Sequence, residues 1–207
     1  MNLGTRYLGL NLRNPVVASA GPLSQTVDGV RALASAGVGA VVMYSLFEEQ
    51  VRRELERDAA LEEAHEESFA EALSYFPAVA TPTERGVADT YVDLVRRAAA
   101  AVDVPVIASI NGASLGGWVE IAQQLADAGA SAIELNIYFV PGNLTMTGAE
   151  VEQRHLDIVA AVRQAVALPI AVKLSPFFSS PGNMALRLIV AGADGLVLFN
   201  RFLQPDI

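Results

Sequence analysis

The 207-residue sequence predicts an α/β fold built on a parallel sheet. Three observations carry that reading. Short apolar runs return at intervals of roughly 30 residues, each is followed by a longer stretch of helical periodicity, and a Gly or Pro marks the boundaries. The runs are β-branched and apolar on both faces, as strands covered by helices on both sides must be, and their spacing suits βα crossover units.

The first strand is expected over Val16 to Ala20, and the helix Thr26 to Ala36 after it ends at Gly37. The second strand is Ala40 to Tyr44. The rhythm then breaks over 47–83: about ten Glu and Asp residues with Arg52, Arg53 and Arg57 form an acidic, helix-favouring insertion, followed by a Pro/Thr-rich loop. Its ordinary reading is a solvated face rather than a docking surface. A helix from Thr90 to Val102 leads to the strand Val106 to Ile110, entered at Pro105. Ser114 to Ala128 is the next helix, closed by Gly129, and Ala132 to Asn136 the next strand. Gly148 to Val166 is helical up to Pro169, which opens the strand Ile170 to Leu174, and Gly195 to Asn200 is the last strand. A phrase of Ala-Gly followed by two small residues recurs at Ala36-Gly37, Ala128-Gly129 and Ala191-Gly192. In each, Gly is expected to cap a helix just before a strand.

Composition narrows the function. A hydrophobic share of 52% supports a sizeable core, read here as a single domain over 1–207. With no cysteine there is no disulfide frame and no thiolate zinc site or cysteine nucleophile, and two histidines, His65 and His155, leave little for metal chemistry. Both are expected on the surface. The net charge of −9 disfavours nucleic acid and anionic lipid as partners. No apolar run approaches the ~20 residues needed to span a bilayer, and the N-terminus lacks a signal-peptide pattern. A cytoplasmic protein with a small-molecule substrate is expected.

In parallel α/β folds the carboxyl ends of the strands form the site. Those ends read Ser19-Ala20-Gly21-Pro22, Tyr44-Ser45, Ser109-Ile110-Asn111-Gly112, Glu134-Leu135-Asn136, Lys173-Leu174-Ser175-Pro176 and Phe199-Asn200-Arg201. They offer amides, hydroxyls and one ammonium, donors and acceptors suited to a planar, polar-edged ligand. Lys173 is the only lysine beside 13 arginines, and a strand carries it inward. A charge there needs an anionic partner. A ligand-facing role, as Schiff-base amine, phosphate binder or cation beside a reduced flavin, stands against a structural ion pair. Asn136, Asn200 and Asn111 are ambiguous singly, since Asn also ends strands, but together with Lys173 they point to a ligand. Trp118 reads as packing.

The phrases Asn14-Pro15 with Ala18-Ser19-Ala20-Gly21, then Ser45, Glu134-Leu135-Asn136, Val172-Lys173-Leu174-Ser175-Pro176 and Gly195 to Asn200 resemble the dihydroorotate dehydrogenase family over essentially the whole chain. The resemblance implies a (β/α)8 TIM barrel, bound FMN and oxidation of dihydroorotate to orotate in pyrimidine biosynthesis. It further implies that Ala20, Ser45, Asn111, Asn136 and Lys173 hold the cofactor, that Lys173 is catalytic at the flavin's edge, and that Asn136 and Asn200 meet substrate. A homodimer stays open.

Three departures from the family's pattern stand out. The family places a Cys or Ser base in the loop after "Glu-Leu-Asn", where this chain has Phe139, which accepts no proton. The family's substrate-binding lysine after the second strand is Tyr44 here. Only six βα units are expected, where a full barrel has eight, so an incomplete barrel is anticipated, without the units that hold the FMN phosphate. The alternatives are a catalytically silent flavin-binding or scaffold protein, a flavoenzyme with another substrate, and a Schiff-base aldolase. The aldolase is disfavoured because Glu134, the one acid at a strand end, is expected to face away from Lys173.

Overall fold

The computed structural model of the protein describes residues 2–54, 56–57, 86–112, 118–137 and 141–200. The six expected strands form one parallel sheet in the order of the sequence: β3 (Val17–Ala18), β4 (Ala40–Phe47), β5 (Val106–Asn111), β6 (Ala132–Asn136), β7 (Ile170–Leu174) and β8 (Gly195–Leu198). Helices α1 (Val27–Ser35), α2 (Val87–Ala101), α3 (Trp118–Asp127), α4 (Gly148–Ala165) and α5 (Pro181–Ala191) lie between the strands and cover one face. Sequential parallel strands with intervening helices are the winding of a β/α barrel, here a curled sheet of six strands.

The sequence reading misses one hairpin and the start of one helix. An antiparallel hairpin, β1 (Thr5–Tyr7) and β2 (Leu10–Leu12), precedes the sheet and turns through Leu8 and Gly9 at φ 53° and 74°. Three-residue strands are too short to show an alternation. Helix α5 is anticipated from sequence only at its end, by the cap at Gly192; Met184 and Leu188 are buried, but Leu186, Ile189 and Val190 are exposed, so its apolar residues ring the helix and blur the periodicity that would show its start. The second strand runs on to Phe47, and the following helix starts at Val87 rather than Thr90. Of the acidic insertion, 48–54 is helical and 58–83 falls outside the described residues.

The recurring phrase does the work expected of it: Gly37, Gly129 and Gly192 stand at φ 98°, 90° and 115°, the left-handed geometry that closes a helix before a strand. The Asn-Pro phrase is structural as well. Asn14 donates from Nδ2 to the Gly37 carbonyl, accepts from Val16 N–H, and presents its own carbonyl where a side chain at Gly39 would lie.

Strand register sorts the inner face into levels. Val42, Ile107 and Ala132 share the lowest, Ser45, Ser109, Glu134, Ala171 and Gly195 the next, and Phe47, Asn111, Asn136, Lys173 and Val197 the highest. The hairpin's Leu8 and Leu12 pack with the lowest level, beside Ala40, Val42 and Ile107. The interior is thus apolar at the amino ends of the strands and polar at the carboxyl ends. One irregularity sets the second level: β4 advances from Val42 to Ser45 while β5 advances from Ile107 to Ser109, a bulge of one extra residue.

Candidate functional site

The polar levels open into a cavity of about 570 Å³ lined by Ser19, Ala20, Glu134, Lys173, Phe199 and Asn200, with Thr5, Arg6 and Tyr7 of the hairpin along one side. Lys173 enters it because position 173 shares a level with Asn136 on the inner face. Its Nζ lies 2.5 Å from Glu134 Oε1, with the side chains 12% and 5% exposed. The expectation that Glu134 faces away is therefore corrected. Residues 134 and 136 lie two apart on β6 and share a face, and Asn136 is Lys173's own cross-strand partner, so alternation brings the carboxylate toward the ammonium. Lys173 is thus ion-paired and at the same time lines the cavity.

The asparagines meet as well: Asn200 Nδ2 donates to Asn136 Oδ1 at 2.9 Å, and the Asn200 backbone N–H donates to the Leu174 carbonyl. Asn136 is 6% exposed. Asn111 stands on the same level as Asn136 and Lys173. Ala20 lines the cavity. Ser45 lies on the level of Glu134 without lining the cavity, its Oγ 2.9 Å from Ser109 Oγ. Tyr44 does not join them. It packs edge-on against Tyr91 with ring centroids 5.1 Å apart, in the layer between sheet and helices, and burial pushes its phenol pKa up.

Tyr7 is a cavity residue that sequence reasoning missed because the hairpin was missed. Burial and the Glu134 charge push its phenol pKa above the usual value, which keeps it a proton-bearing donor. Trp118 is packing, as expected: it is 2% exposed, and its ring fills the space that a side chain at Gly112 would need. Tyr138 and Phe139 lie outside the described residues.

His155 corrects another expectation. It is 4% exposed rather than on the surface, with Nδ1 2.8 Å from the Val151 carbonyl oxygen and its ring edge-on to Phe178 at 5.2 Å. Burial pushes its pKa down, against the pull of carbonyls at Val151 and Ile137. A depressed folded-state pKa means that the unfolded chain takes up the proton first. Stability is then whole above about pH 6.5 and falls as the pH drops below it toward the folded pKa. His155→Gln is expected to flatten that part of a urea-midpoint profile between pH 7 and 5; an unchanged slope would place the proton uptake elsewhere.

No family model matches the chain. Among curated proteins it is 32% identical to the dihydroorotate dehydrogenase B (NAD(+)) catalytic subunit of Methanocella arvoryzae over 196 residues, 93% of this chain and 60% of that protein. It is 36% identical to the putative dihydroorotate dehydrogenase A (fumarate) of Aeropyrum pernix over 109 residues, 50% of this chain and 35% of that protein. The chain thus spans between about a third and three fifths of these relatives. Among solved structures it resembles phosphonopyruvate hydrolase in complex with oxalate and Mg++, at a TM-score of 0.51 and 19% identity over 92% of this chain and 59% of that one, a likeness of fold. By sequence, the chain is similar to proteins named dihydroorotate dehydrogenase, over part of their length.

Proposed function

We propose that the chain serves an FMN-dependent oxidoreductase reaction of the dihydroorotate dehydrogenase type, with the polar cavity at the strand carboxyl ends as the place of the flavin ring and its substrate. The observation that carries this reading is that Ala20, Lys173 and Asn200 line one cavity, with Asn136 beside it as the hydrogen-bond partner of Asn200 and the strand partner of Lys173. The donor set suits the ring. An ammonium and two amides offer donors and acceptors for a pyrimidine edge, and Ala20 leaves room for a flat face. Bound FMN would supply a hydride acceptor.

The chain's own residues would then divide the work. Lys173 would stand at the cofactor's polar edge, with Glu134 keeping the pair neutral overall before any charge develops. Asn200 and Asn136, already hydrogen-bonded to each other, would orient a substrate amide. Ser45 and Asn111 would complete the cofactor's surroundings.

FMN added to the protein is expected to show a protein-induced shift and sharpening of its visible absorbance, weakened in Asn136→Ala. A spectrum identical to that of free FMN at high protein concentration would overturn the reading. A second reading, a flavin-holding chain without turnover, is favoured by Phe139 at the position of the family's base. It predicts a shifted spectrum that dihydroorotate fails to bleach anaerobically.

A further inference from the structure

The bulge in β4 decides which side chain faces the inner side of the sheet. Val42 lies on the inner face, so unbroken alternation would send Tyr44 inward and Ser45 outward. The extra residue reverses that parity. Met43, Tyr44 and Leu46 all pack into the layer beneath the helices, and Ser45 comes level with Ser109 and Glu134 on the inner face.

A bulge leaves ladder groups on the neighbouring strand without partners. On β5 the carbonyls of Pro105 and the residues two and four beyond it are directed at β4, whereas Val106 O and Gly112 N bond toward β6. Ser109 therefore presents both its N–H and its C=O to β4 at the irregular position. Tyr91, on α2 and fully buried, satisfies both: its Oη accepts from Ser109 N at 2.9 Å and donates to Ser109 O at 2.9 Å. One hydroxyl replaces two missing ladder bonds. Its ring also holds Tyr44 edge-on, on the helix side.

We infer that Tyr91 is a positioning residue: by occupying the gap in the β4–β5 ladder it fixes the bulge and so places Ser45, rather than Tyr44, on the inner face of the sheet. What Ser45 would touch there rests on the function proposed above; the choice of face does not. Loss of the hydroxyl leaves two buried backbone groups unpaired, and the regular ladder, which returns partners to them, sends Tyr44 to the inner face.

The sequence has no cysteine, so paired cysteines report on this cleanly. With Tyr91 intact, Ser45→Cys/Ser109→Cys is expected to cross-link on mild oxidation and Tyr44→Cys/Ser109→Cys to remain open. Adding Tyr91→Phe is expected to lose the first cross-link and gain the second, an exchange that simple destabilisation does not produce. Equal cross-linking of both pairs with Tyr91 intact, or a pattern unmoved by Tyr91→Phe, would overturn the inference.

Deletion of Tyr44 covers the case in which Tyr91→Phe does not fold. It makes β4 regular while keeping the following serine opposite Ser109, so Tyr91→Phe should be tolerated in that background. Failure to fold there as well would show that the hydroxyl serves something other than the bulge, and would overturn the inference. None of these readouts needs flavin, so a protein that binds no FMN leaves them intact, and a flavoprotein with an unchanged cross-linking pattern refutes this inference alone.

Discussion

Lys173→Met is expected to lower the stability of the protein by about 3–5 kcal/mol, the usual cost of removing one partner from a buried ion pair. The physical cause is the charge left behind. Glu134 is 5% exposed and its carboxylate lies 2.5 Å from the ammonium, so without Lys173 it keeps its burial, with an apolar level below and amides above, and loses its counter-charge. Screening by solvent is weak at such burial. The double variant Lys173→Met/Glu134→Leu removes both charges in similar volume and is expected to recover most of the loss, because the cost of desolvating both ions goes with their attraction. Urea unfolding of the wild type, both single variants and the double variant closes the cycle. Equal destabilisation in the single and double variants would mean that the pair adds nothing and that Lys173 answers to a ligand alone.

Phe139→Cys is expected to raise the rate of flavin reduction by dihydroorotate about 10²- to 10⁴-fold, the range that general-base assistance commonly supplies. The expectation rests on the family's loop pattern and on FMN being bound. Anaerobic stopped-flow bleaching of the FMN-loaded protein measures it. Fast bleaching by the wild type would show that another group takes the proton, and no bleaching in the variant would point to a different substrate. Adding Tyr44→Lys to restore the family's cation is a poorer companion than the sequence suggests. Tyr44 faces Tyr91 and the helix layer, so an ammonium there is expected to cost stability without reaching the cavity.

What the sequence made legible, and what it hid, follows from the range of the interactions involved. The strands between Ala40 and Leu198 could be read because each is a continuous apolar run closed by Gly or Pro, a local signal. Lys173 stood out because nothing else in the sequence is a lysine. The hairpin's short strands are held by contacts with residues far along the chain and carry little pattern of their own. Glu134 was misread by one step of counting, since its relation to Lys173 depends on the register between β6 and β7, which neither strand reveals alone. The same holds for Ser45. Alternation from Val42 gives the wrong face, and only the pairing of β4 with β5, together with a tyrosine from the next helix, gives the right one. His155 looked polar and helical, yet two backbone carbonyls and Phe178 enclose it.

The hairpin has a kinetic consequence. Leu8 packs beside Ala40 and Val42 and also lies where a side chain at Gly195 would be, so its seat is complete only once β8 has been laid down. The contact between Leu8 and Gly195 closes a long loop, and contacts of such long range slow folding. Refolding should therefore have a late step, in which the sheet and helices are already protected from hydrogen exchange while Leu8 still awaits its contact with β8. Gly195→Ala, which crowds that seat, is expected to speed unfolding much more than it slows the earlier steps.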